Sequence, residues 1–177
     1  MAVVPLVLAD RYNGNDIGAQ IMAAHADLGA LHGIIVVPHS TTKRSIDTQI
    51  VLHGGGGRKL ILGDGEYDNS MTAGPPILLG DDCEIVSSRR WGAKVYETVN
   101  RPSQGNTTSA IQDYGSSLDT SGPGSVNISV RGLSFLPKAE TLDSISGTVI
   151  VGNAKDVIVE DCYFYRTSGF CMSAGGG

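Results

Sequence analysis

The sequence is short of charge, of aromatic rings and of clustered basic residues. Charged side chains make up 18% of the 177 residues, below the usual quarter. The 13 Lys and Arg are scattered, in isolated pairs such as Lys43-Arg44 and Arg89-Arg90, against 18 Asp and Glu. At a net charge of −5 the chain lacks the basic patch that phosphate-backbone binding requires, which argues against a nucleic-acid partner. No apolar run is long enough for a membrane-spanning helix, so no membrane insertion is expected. Met1 to Leu8 is apolar but lacks a basic leader, and it reads as a lead-in strand rather than a signal peptide. The three cysteines, Cys83, Cys162 and Cys171, include no C-x-x-C pair and are odd in number. That argues against a zinc site and a closed disulfide framework, and leaves them as small apolar fillers.

What the chain does have is glycine and short apolar runs. Its 24 glycines follow no triplet period, which excludes collagen, and they point to a turn-rich, all-β chain. A 41% hydrophobic share in a chain of one domain's length is enough for a real core. One segment reads as helix. Asn15 or Asn13 caps it, Asp16 adds negative charge near its start, and Ile17, Ile21, Ala24 and Leu28 form one apolar stripe before Gly29 ends it. Strand-like runs of three to five residues follow, beginning with Gly33 to Val37 and ending with Val157 to Val159. Tyr67 to Pro75 reads as irregular, and Asn100 to Gly124, rich in Ser, Thr, Gly and Pro, reads as a long excursion.

Internal repetition organises these runs. Ile128 to Phe135 matches Val157 to Phe164 at an offset of 29, and Gly147 to Gly152 matches Gly169 to Ala174 at an offset of 22. Stacking such repeats would build a continuous core that no single one could form. Alternation then puts Ile128 and Val130 beneath Val157 and Val159, stacks Phe135 on Phe164, sets Cys162 over Leu133 and Cys171 over Val149, and pairs Arg131 with Glu160.

With about 22 residues per turn, the chain resembles the right-handed parallel β-helix of the pectate-lyase-like superfamily. The segments that carry the likeness are Ala9 to Asp16, Ala19-Gln20-Ile21, Gly33 to Pro38, Val126 to Phe135 and Asp156 to Phe164. The expected architecture is all-β, with residues 1–32 as lead-in strand and capping α-helix and 33–177 as β-helix turns. The helix would cover the apolar end of the stack. No matching cap is visible after Ser173, so the chain is expected to be incomplete at its C-terminus, with an exposed edge through which copies could associate. The resemblance implies polysaccharide as partner and an extracellular or cell-surface setting. It implies either a carbohydrate-active lyase or hydrolase, with catalytic turns beyond this chain, or a non-catalytic tailspike, adhesin or stalk.

Catalytic signatures are thin. Asp81-Asp82, the sole Asp pair, sits in a turn with no His-Gly after it. A lyase of this kind uses a basic residue and commonly Ca²⁺, and Asp64, Glu66 and Asp68 would alternate on one side of an extended strand as oxygen ligands. Arg131, Glu160, Asp161, Tyr163, Tyr165 and Arg166 are candidates for sugar contact, and Arg131 with Glu160 equally forms a structural ion pair. Trp91, Tyr96 and Tyr114 are further candidate stacking platforms, and no histidine pair has metal spacing.

Overall fold

The computed structural model describes residues 3–54, 56–71, 74–97, 110–113, 124–137, 149–151, 154–165 and 172–174. A strand β1 (Leu6–Leu8) and a 3-10 turn (Ala9–Arg11) lead into helix α1 (Ile17–Leu28). The chain then coils. The first turn holds β2 (Gly33–Val37), β3 (Arg44–Ile46) and β4 (Ile50–Leu52), and the second β5 (Arg58–Leu62), β6 (Gly65–Asn69) and β7 (Ile77–Leu79). The third holds β8 (Cys83–Ser87), β9 (Ala93–Glu97) and β10 (Ile111–Asp113), and the fourth β11 (Val126–Arg131), β12 (Ser134–Pro137) and β13 (Val149–Val151). A further pass holds β14 (Lys155–Glu160), β15 (Tyr163–Phe164) and β16 (Met172–Ala174).

Three parallel sheets result: sheet A, β1-β2-β5-β8-β11-β14; sheet B, β3-β6-β9-β12-β15; and sheet C, β4-β7-β10-β13-β16. This is a parallel β-helix with an N-terminal helix. Strands this short hold because alternate residues point inward and stack on their counterparts one turn away. Ile35, Leu60, Ile85, Val130 and Val159 form one column in register, and Tyr67, Val95, Phe135 and Phe164 another. The Phe135 and Phe164 rings stack at 5.3 Å, 11° from parallel. Burying each such aliphatic or aromatic side chain is worth about 1.5–3 kcal/mol. Cys83 lies buried in this core and Cys162 packs against it; burial pushes both thiols up, as fits filler rather than nucleophile.

The helix lies over the first turn, with Ile17, Ile21, Ala24 and Leu28 buried. Its N-cap is Asp16, in place of the Asn13 or Asn15 expected: one carboxylate accepts from the Gly18 and Ala19 amides and also from the Asp47 and Thr48 amides and the Thr48 hydroxyl. Burial opposes the charge on Asp16, but these donors together keep its carboxyl below the usual range. At the other end, fully buried Arg58 donates to the carbonyls of Gly29 and Leu31 and, over 3.1 Å, to His25 Nδ1. It thereby caps the last turn of the helix.

The structure corrects several expectations. The turns repeat at 25, 25, 45 and 29 residues along sheet A, as Leu60↔Ile85 and Val130↔Val159 show, rather than at about 22. Val149 pairs with Met172, an offset of 23, so the expected match of Val149 to Cys171 slips by one. Tyr67 to Asn69 are strand, not loop: Tyr67 and Asn69 point inward, and the Tyr67 phenol, pushed up to about 12 by burial, donates to the Gly63 carbonyl at 2.7 Å. The 100–124 excursion contains β10, and the rest of it, 100–109 and 114–123, lies outside the described residues, as do Tyr114, Arg166 and Cys171.

A column of left-handed residues marks the entry to sheet A: Gly57 (φ 87°) and Asp82 (55°) just before their strands, Asn127 (59°) and Asp156 (55°) at the second position of theirs. Gly, Asn and Asp are the residues that enter this region at least cost. The Asp81-Asp82 pair belongs to it. Asp81 accepts from the Val126 amide at 2.8 Å and Asp82 from the Asn127 side chain at 2.9 Å, so the pair joins turns.

Candidate functional site

The outward-facing residues of sheet B form two columns fixed by register. One runs Glu66, Lys94, Ser134, Tyr163; the other runs Ser45, Asp68, Tyr96, Leu136, with Tyr165 beyond. The face therefore grades from carboxylates at one end to aromatic rings at the other. At the aromatic end Trp91, Lys94, Tyr96, Ser134, Leu136 and Tyr163 enclose a groove of about 430 Å³. Trp91, Tyr163 and Tyr165 are 45%, 43% and 46% exposed, large for rings of their size. The Trp91 and Tyr163 rings are 6.0 Å apart, and Tyr163 and Tyr165 lie 6.5 Å apart and nearly parallel. Tyr163 and Tyr165 point outward because Phe164 between them points in.

Trp91 comes from the corner between sheets A and B. In this turn the corner takes five residues, 88–92, whereas the next two turns use two each, Gly132-Leu133 and Asp161-Cys162. The longer corner projects Arg89, Arg90 and Trp91. The Trp91 indole N–H donates to the Asp161 carbonyl at 2.7 Å, and the Arg90 guanidinium lies 4.6 Å from the ring centre while pairing with Asp161 at 2.8 Å.

Beside the groove, and sharing Lys94 with it, is a polar pocket of about 350 Å³ lined by Ser40, Asp64, Glu66 and Arg89. Of the three expected calcium ligands, Asp64 and Glu66 line it and Asp68 does not. Glu66 and Asp68 do alternate on the outer side of β6, with Asp64 just before it. Asp64, however, accepts from Arg89 and from Ser88, and Arg89 holds its carboxyl below the usual range; Glu66 pairs with Lys43 at 3.2 Å. Carboxylates so matched with cations fit ion pairing better than a calcium cage, and among the described residues no cluster of three or more His, Cys, Asp or Glu is arranged to hold a metal.

The other sequence candidates separate. Arg131 and Glu160 face out from sheet A, where Arg131 reaches Glu160 at 3.2 Å and Glu84 at 3.6 Å, and Glu84 also takes Lys59 at 2.7 Å. The expected pair is thus part of a ladder of alternating charge. Asp161 stands at the corner, bound to Arg90. Tyr163 and Tyr165 join the groove face, as do the candidate platforms Trp91 and Tyr96. Lys94, Ser134 and Leu136 join them unheralded, because Lys94 falls opposite Ser134 only through an offset of 40 that no regular repeat shows. Lys94 takes part in none of the ion pairs above.

Comparison with family models, curated proteins and solved structures finds no match. The groove has to be read from its own chemistry. Exposed rings offer stacking surfaces for flat apolar ring faces and Lys94 offers a charge, while Ser134, buried beneath them, donates to the Trp91 carbonyl at 3.3 Å.

Proposed function

We propose that this β-helix binds polysaccharide along the outer face of sheet B, a sugar ring resting in the groove among Trp91, Tyr96 and Tyr163. The carrying observation is the set of half-exposed aromatic rings held in register beside Lys94, outside a core that does not need them. A pyranose has an apolar face for the rings, and Lys94 favours sugars bearing a carboxylate or sulfate. The likeness of the turns to the pectate-lyase-like superfamily supports the same ligand class, and with it an extracellular or cell-surface setting. Binding is preferred to catalysis because Asp64, Glu66, Glu84, Glu160 and Asp161 each face a cation, leaving those carboxylates poorly placed as proton shuttles.

The test is calorimetric titration with acidic and neutral oligosaccharides at low salt and at about 0.5 M salt. Acidic chains should bind, more weakly at high salt, and Lys94→Ala should remove the salt dependence while Tyr163→Ala removes most of the affinity. No binding by any of them at about 1 mM sinks the reading. Release of new reducing ends or unsaturated sugars from an acidic polysaccharide would replace it with a catalytic one.

A further inference from the structure

We propose that Trp91 is the specificity-determining residue of this face, a stacking platform pre-set by its own backbone; this rests on the glycan reading above. Three independent features meet at it. First, Trp91 has φ 64°, in the left-handed region that a bulky side chain seldom enters. At the matching corner of the next two turns the left-handed residues are Gly132 (φ 70°) and Asp161 (φ 54°), types that tolerate it. Second, Trp91 sits in the five-residue corner 88–92, longer than the two-residue corners 63–64 and 132–133 of the turns on either side, and this extra chain presents the ring. Third, the indole is held without being buried. Its amide donates to the Gly132 carbonyl at 2.6 Å and its ring N–H to the Asp161 carbonyl at 2.7 Å, Arg90 covers one face, and 45% of the residue stays exposed.

A fold needing only a turn here would be served by glycine or asparagine. Strained residues persist where surroundings over-determine them, and they gather at binding sites. The Arg90–Asp161 ion pair and the indole hydrogen bond supply that over-determination. They remove ring freedom before any ligand arrives, so less ordering remains to be done on binding. The Trp91 and Tyr163 rings stand 6.0 Å apart, tilted by 51°, and the spacing between these rings and Lys94 sets which sugar fits.

Trp91 is the sole tryptophan, so its fluorescence reports on the site alone. Wild type, Trp91→Gly and Trp91→Asn are compared for melting temperature and for binding of the tightest oligosaccharide from the titration panel. The expected result is a fluorescence change in wild type that saturates with binding, a loss of affinity of about tenfold or more in both variants, and melting temperatures equal to wild type or a few degrees above it. Arg90→Ala should lower the fluorescence anisotropy of the free protein and weaken binding less than loss of the ring. Binding that leaves Trp91 fluorescence unchanged and persists in both variants overturns the inference while the glycan reading stands. Melting temperatures that fall in step with affinity in both variants also overturn it, making Trp91 a structural residue. Absence of binding in wild type removes the glycan reading and this inference with it.

Discussion

The outer faces of sheets A and B are made by one rule and filled in opposite ways. On sheet A a run of outward charges meets its opposites on neighbouring turns: Lys59 with Glu84, Glu84 with Arg131, Arg131 with Glu160. Along that run the face answers its own valences. On sheet B the carboxylate end is answered by Lys43 and Arg89, but the run from Lys94 to Tyr165 is left with rings half exposed and a lysine outside the ion pairs. In a solenoid both faces are equally free to self-complement, since register brings like positions together every turn. The face that does not do so is the one with something left to offer a ligand.

The comparison can be broken most severely from beneath. Phe135 supports the open face from inside the core, stacked on Phe164. Phe135→Ala should cost about 3–5 kcal/mol and lower the denaturation midpoint, carrying groove binding down with it. A stable variant with intact binding would show that the groove does not depend on the column below it.

A smaller effect should follow acidification at the helix end. Burial, then the nearby charges of Arg58 and His53, hold His25 below its ordinary 6.5, and its Nδ1 must stay unprotonated to accept from Arg58. The unfolded chain therefore takes up this proton first, and stability falls as pH drops through 6.5 toward the folded value. Melting temperature followed from pH 7 downward should decline through that window, and His25→Gln should flatten the decline. Sheet B binding should not follow that slope, since the groove lies elsewhere.

The smallest effect belongs to the ladder itself. Arg131 and Glu160 are 38% and 52% exposed, so Arg131→Ala should cost about 0–1 kcal/mol, less in high salt, and leave glycan affinity unchanged. A marked loss of affinity in that variant would erase the distinction between the two faces.

Much of this was legible because two neighbouring turns share their corner length. The offset of 29 aligns Phe135 with Phe164 and Arg131 with Glu160, and the sequence pattern alone exposes both contacts. The stripe of Ile17, Ile21, Ala24 and Leu28 likewise announces the helix. Legibility fails where information is non-local. The five-residue corner at 88–92 shifts every later residue, hiding that Lys94 sits between Glu66 and Ser134. Gly65 to Asn69 looks like loop because its strand alternates polar with polar, and only neighbouring turns decide which side faces in. Arg58 opens a strand at an inward position that charge argues against; its acceptors are carbonyls of Gly29 and Leu31, nearly thirty residues earlier. Asp16 outdoes its asparagine neighbours as cap because three of its five donors come from Asp47 and Thr48.

That last carboxylate has a consequence for how the molecule is made. Asp16 fastens the start of the helix to the corner at Asp47 and Thr48, and a Cβ on Gly18 would sit only 2.1 Å from the Thr48 carbonyl oxygen, so the two segments lock closely. The locked unit leaves the ribosome before the later turns of the stack. Once it has emerged, an edge of parallel strand awaits the next, and each later turn condenses on a template rather than searching for one. Growth of the stack then has a direction, set by one side chain at its first turn.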